Sequence, residues 1–136
     1  MIKEDYVSFE VAKLLKEKGF DWKVFHFYDE DGHLKHREGD CYSLYNWNYP
    51  TKDEYGSKYC SAPTQQMACR WLREEKGLNV NAIYGDYPAL KKSFWMPQID
   101  SLNGCYGVDD EDFFREYDSR EDCIEAALQY CLTNLI

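Results

Sequence analysis

Residues 61–84 read SAPTQQMACRWLREEKGLNVNAIY, and they carry a helix, its stop and a strand in that order. Met67, Ala68, Trp71 and Leu72 recur at helical spacing and form one apolar stripe. The segment Ser61-Ala62-Pro63-Thr64 opens the helix, with Pro63 placed in a first turn where a missing N–H has no partner to lose. Gly77 stops it. Immediately afterwards Leu78, Val80, Ala82 and Tyr84 alternate with Asn79, Asn81 and Ile83, the period of a strand. The two periods in direct succession point to a mixed α and β fold.

Two further helices frame this block. Ser8 is a good N-cap, Glu10 sits in the first turn, and Val7, Val11, Leu14 and Leu15 share a face until Gly19 supplies a left-handed C-terminal residue. Asp118-Ser119-Arg120-Glu121 carries the start signal of a capping side chain with Glu three residues on. Cys123, Ile124, Ala127, Leu128, Cys131, Leu132 and Leu135 keep helical spacing after it. Helices are expected over 8–18, 62–76 and 119–134.

Strands fill the intervals. Trp22 to Tyr28 alternates, and Asp29-Glu30-Asp31-Gly32 turns the chain, since Asp-Gly tolerates the positive φ of a tight hairpin. Cys41 to Trp47 is expected to return beside it, with 48–56 as loop; Ser93 to Met96 and Asp112 to Tyr117 are shorter candidates, punctuated by Pro88, Pro97, Gly104 and Gly107. The order α-β-β-α-β-(β)-β-α leaves three apolar helical stripes to bury. A mainly antiparallel sheet with helices on both faces, an α-β-α sandwich, accommodates them. With no repeat, low-complexity tract or linker, residues 1–136 form a single domain on this reading.

Sixteen basic residues against 25 acidic ones give a formal charge of -9, which repels nucleic acid at long range. The start, Met1-Ile2-Lys3-Glu4-Asp5-Tyr6, is charged and no apolar run approaches membrane-spanning length, so neither a secretory signal nor a membrane anchor is expected. The expectation is cytoplasmic, and there the six cysteines, without a C-x-x-C pair, read as reduced thiols.

For metal chemistry the best-placed donors are His33-x-x-His36-x4-Cys41, with His26 upstream. Their spacing matches no common zinc pattern and no second cysteine knuckle accompanies them, so no metal and no cofactor is expected. Asp29-x-Asp31-Gly32 lacks the further ligands of a calcium loop, and Asp109-Asp110-Glu111-Asp112 reads as a solvated turn. Thiol catalysis needs a base near a cysteine, yet Cys69, Cys123 and Cys131 fall on or beside apolar stripes, where cysteine packs as a small hydrophobe.

The stretch from Tyr59 to Glu74, with its Ser61-Ala62-Pro63-Thr64 and Gln66-Met67-Ala68 runs and Trp71-Leu72-Arg73-Glu74, resembles a block of small proteins common in phages and prophages of gut bacteria. The ending from Tyr117 to Leu132 and the opening from Val11 to Phe20 are similar to theirs. More distantly the layout resembles the phage α-β-α sandwich domain. The resemblance implies the sandwich and a phage or mobile-element origin; the family has no assigned activity, so no catalytic residue is carried over.

The functional expectation is a non-enzymatic module that binds a host or phage protein. The rivals are a small hydrolase or thiol enzyme with a Cys/His pair, and a structural homo-oligomer. Twelve Tyr, four Trp and seven Phe supply the material. The aromatics outside the helical stripes, Tyr45, Trp47, Tyr49, Tyr55, Tyr87 and Trp95, are the expected partner-binding residues, Tyr and Trp being enriched at binding hot spots.

Overall fold

A computed structural model describes residues 5–36, 44–48, 58–101, 104–105 and 115–136. These residues carry three helices and two antiparallel three-stranded sheets, an α+β fold. The chain divides into two compact units, Met1–Thr64 and Gln65–Ile136.

In the first unit, α1 (Phe9–Glu17) begins where Ser8 Oγ accepts the Val11 N–H at 3.2 Å. It ends at Gly19, whose φ of 90° is open to glycine without strain. Val11, Ala12 and Leu15 are buried together with Val7 and Phe20. The sheet is ordered β2-β1-β3, with β1 at His26–Tyr28, β2 at Leu34–His36 and β3 at Cys60–Ser61. Helix α1 packs on β3.

The expected strand from Trp22 to Tyr28 is regular only in its last three residues. Upstream, Val24 and Tyr45 form an isolated bridge, exchanging N–H···O bonds of 2.9 and 3.0 Å. The first strand to return is Leu34–His36, in a segment that reads as a charged turn. The tight Asp29–Gly32 turn brings residue 34 opposite Tyr28 at once, and all three residues of β2 are exposed, so no apolar alternation marks them. Of the expected Cys41–Trp47 strand, Tyr45 pairs as described; residues 41–43 lie outside the described residues.

In the second unit, α2 spans Gln65–Lys76 and ends at Gly77, φ 68°. Pro63 therefore precedes the helix rather than occupying its first turn. Its carbonyl accepts the Val7 N–H at 3.1 Å, and Thr64 bridges to Tyr6, so this stretch is extended. Strands β4 (Leu78–Tyr87) and β5 (Lys92–Ser101) pair along their full ten-residue lengths, joined by one 3₁₀ turn at Pro88–Leu90; β6 (Gly104–Cys105) pairs the far end of β5.

Helix α3 (Arg120–Tyr130) is capped by Ser119 Oγ, which accepts the Asp122 N–H, and continues into a π-helical turn at Cys131–Leu135. Both helices pack on the hairpin and touch each other. Trp71, Leu72, Ile124, Leu128 and Leu132 are buried, as the stripes require. Among the described residues no helix is long and apolar enough to cross a membrane.

Strand β5 runs well beyond the expected Ser93–Met96 because it passes through Pro97. Trp95 exchanges both backbone bonds with Tyr117 at 2.8 Å, so its N–H and C=O point away from β4. Pro97, two residues on, shares that orientation, and its missing N–H removes nothing from the β4 ladder.

Candidate functional site

The β4–β5 hairpin changes character halfway along. On one face Leu78, Val80 and Ile99 are buried against the helices, and Tyr84 stands opposite Trp95 further out. On the other face the base is polar: Asn79 opposite Asp100, Asn81 opposite Gln98. The outer half of that same face is apolar: Ile83 opposite Met96, Gly85 opposite Phe94, then Tyr87. A strand face that only met water would stay polar along its length. Here apolar side chains stand on both faces of the outer half, up to the polar pairs Asp86–Ser93 and Tyr87–Lys92 nearest the turn.

The exposure of these side chains is what makes them a candidate site. Ile83 is 49% exposed, Tyr84 57%, Tyr87 44%, and Leu90 at the tip 73%. Scattered apolar residues on a surface are ordinary, whereas here four cluster on one hairpin, Ile83 and Tyr87 on one face, Tyr84 on the other and Leu90 at the turn. Rings pack on both faces. Tyr84 packs edge-on against Trp95, with ring centroids 5.3 Å apart, and Tyr87 stacks on Phe94 at 4.9 Å. Gly85 leaves the space that the Phe94 ring occupies.

Glu116 fixes the tip. Tyr87 and Lys92 face each other in the last pair of the ladder. The Tyr87 hydroxyl donates to Glu116 Oε1 at 3.0 Å, and Lys92 Nζ reaches Oε2 at 3.2 Å. Donating to a carboxylate pushes the Tyr87 phenol above its ordinary pKa. Strand β4 is the sheet's edge, so its outer backbone groups have no strand partner among the described residues.

Of the expected partner-binding residues, Tyr87 and Trp95 thus lie together on this hairpin. Tyr45 and Trp47 lie in the first unit. Trp47 is packed into it: its ring stacks on Phe27 at 4.1 Å and its Nε1–H donates to the Val24 carbonyl. Tyr45 is half-exposed and packs edge-on against Trp47. Tyr49 and Tyr55 lie outside the described residues. Ile83, Tyr84 and Leu90 were missed in the sequence; the signal that could have found Ile83 is the apolar half of a strand face that begins with Asn79 and Asn81, while Leu90 lies in the turn beyond it.

The histidine set does not converge. His33 turns to Asp29, with Nδ1 3.4 Å from Oδ2, while His36 stacks on Phe25 and meets His26 edge-on. Cys41 lies outside the described residues. The one group of three potential metal donors among the described residues is Asp29, Asp31 and His33. The Asp29 carboxylate is already engaged there, accepting the N–H groups of Asp31 and His33 and pairing with Lys35 Nζ at 3.0 Å.

Cys60, Cys69, Cys123 and Cys131 are poor nucleophiles. All four are free thiols, and burial raises each of them: Cys69 and Cys123 to about 11, Cys131 to about 12. None shares a hydrogen bond with a histidine among the described residues. A 420 Å³ cavity beside Cys60 is ringed by Lys13, Lys16 and Lys58, all engaged by Glu10, the Tyr59 carbonyl and Glu30 respectively.

No protein-family model matches the chain, and comparison with curated proteins and with solved structures returns no match.

Proposed function

We propose that this chain is a non-enzymatic protein-binding module, and that the outer half of the β4–β5 hairpin is its docking element. The observation that carries the reading is the exposure of Ile83, Tyr84, Tyr87 and Leu90 on one hairpin that is otherwise well ordered. A ten-residue edge strand with apolar side chains is a pairing template that proteins normally cover or blunt. A partner groove that takes the tip and pairs with the β4 edge does both. The raised thiols of Cys60, Cys69, Cys123 and Cys131 favour this reading over a thiol enzyme.

The resemblance to phage and prophage proteins makes a host or phage protein the partner class, met in the bacterial cytoplasm. The α-β-α layering belongs to the same proposal; what supports it is one helical layer on strands in each unit, α1 on β3 and α2 and α3 on the β4–β5 hairpin.

The test is capture of partners from a gut-bacterial lysate by the intact chain and by an Ile83→Ser, Tyr84→Ser, Leu90→Ser variant. These side chains are exposed, so the variant keeps its circular dichroism and melting behaviour. A partner bound by the intact chain and lost by the folded variant supports the reading. Binding that survives the variant contradicts it. Sedimentation of the purified chain as a dimer that the variant dissolves would assign the hairpin to a second copy instead.

A further inference from the structure

The direction of the backbone groups along β4 follows from one bridge on its neighbour. Trp95 commits its N–H and C=O to Tyr117, so it forms a non-hydrogen-bonded pair with Tyr84 across the ladder. Such pairs alternate with bonded ones in an antiparallel ladder. Ala82, opposite Pro97, and Asp86, opposite Ser93, therefore share the orientation of Tyr84. The N–H and C=O groups of these three residues point out of the sheet at its edge. None of them makes a hydrogen bond to a described residue.

Proteins blunt such edges with Lys, Pro or a bulge. Strand β4 has none of these: it pairs without interruption over Leu78–Tyr87, and its single charged residue is Asp86. The Asp86 side chain is exposed and makes no ion pair with a described residue. Ile83 and Tyr84, on opposite faces of the strand, expose apolar side chains beside it. An open ladder, two exposed apolar side chains and a carboxylate thus lie together over 82–86.

We propose, building on the docking role of this hairpin, that the partner supplies an extended segment that joins β4 as a further strand along 82–86. It carries a Lys or Arg directly opposite Asp86 and apolar side chains beside Ile83 and Tyr84. Its backbone bonds the outward groups of Ala82, Tyr84 and Asp86, and the cross-strand pairs fix its register. A second copy of β4 does not fit this place. Residues 78–87 hold no Lys, Arg or His to face Asp86, and two chains of charge -9 repel at long range.

Amide exchange of the full chain tests it, with the capped peptide acetyl-Thr-Lys-Thr-Val-Val-Thr-amide at millimolar concentration and constant ionic strength. A twin with Glu in place of Lys is the comparison. The Lys peptide should saturably slow the amides of Ala82, Tyr84 and Asp86. Those of Asn81, Ile83 and Gly85, which already bond β5, should not change. The Lys peptide should bind about threefold or more tighter than its twin, the scale of one cross-strand charge pair, and Asp86→Lys should remove that preference. Ala82→Pro removes an outward N–H without touching the β5 ladder, and it should abolish the protection at Tyr84. If the proline variant unfolds, Asp86→Lys, on an exposed side chain, still decides. The proposal is overturned if neither peptide protects these amides, if the Glu twin binds as tightly, or if Asp86→Lys keeps the preference. A partner lost by the Ile83, Tyr84 and Leu90 serine variant but kept by a folded Ala82→Pro would overturn strand addition and leave docking by the hairpin standing.

Discussion

The ring of Phe94 occupies the space that a side chain at Gly85 would need, directly across the ladder from it. The glycine weakens its strand, and the aromatic ring covering it restores packing, a device known from sheet edges. Tyr87 stacks on the same ring, with centroids 4.9 Å apart. The outer hairpin is thereby held in one shape although much of it faces solvent.

Gly85→Ala should displace Phe94 and loosen this half alone. We expect a loss of about 1–3 kcal/mol at most, the range for forcing extra volume into a packed site. Amide exchange of residues 83–95 should quicken while Leu78, Val80 and Ile99 stay protected. Unchanged exchange at 83–95 would mean that the Gly85–Phe94 pairing does not order the arm.

Leu128→Ala removes a side chain with no solvent exposure on α3. Denaturant unfolding should report a loss of about 2–5 kcal/mol. A loss below about 1 kcal/mol would contradict its place in the core.

The helices were legible in the sequence because their signals are local. Ser8 caps where its pattern put it, Ser119 caps one residue past the Asp118 that Glu121 points back to, and Gly19 and Gly77 take the positive φ that stops a helix. Strand lengths were not. Pro97 reads as punctuation, yet its nitrogen faces away from β4, which depends on the bridge between Trp95 and Tyr117. Leu34–His36 pairs with β1 although its side chains carry no apolar alternation, because the turn alone sets its register. At the candidate site, Tyr87 and Trp95 were visible as aromatics outside the helices. Trp47 was visible for the same reason, but its stacking on Phe27 depends on contacts across 20 residues of sequence.

Thiol titration with pH follows from burial. Cys69 and Cys131 have folded pKa values of about 11 and about 12, above the unfolded value near 9. Their folded state holds the proton that the unfolded chain releases, so stability is present in full below about pH 9 and falls as pH rises toward 11–12. Melting temperature measured from pH 8 upward should decline in that window, and Cys131→Ala should flatten the decline. Reaction with a thiol reagent at pH 7.5 should be slow at both cysteines until the protein is unfolded.

The acid side is governed differently at Asp29. Two backbone N–H groups and Lys35 hold its carboxyl well below the usual carboxylate range, the His33 N–H contributing most. Because the folded pKa is lowered, the turn is at full strength above about pH 4 and loosens only as pH falls through the folded value. The His33 amide resonance should hold its native shift through pH 4 and move below it. In Asp29→Asn that acid transition should vanish. Movement centred near pH 4 in the native chain would show that Asp29 is not held by these donors.

The central claim is that the outer β4–β5 hairpin is the surface through which this protein engages another. Site-specific photocrosslinking tests it most directly, with a photoreactive residue in place of Leu90, or in place of Gln129, an exposed position on α3. In gut-bacterial cells, the account predicts a discrete crosslinked product containing a second, different protein from position 90 and none from position 129. No product from position 90, or the same product from both positions, would contradict it.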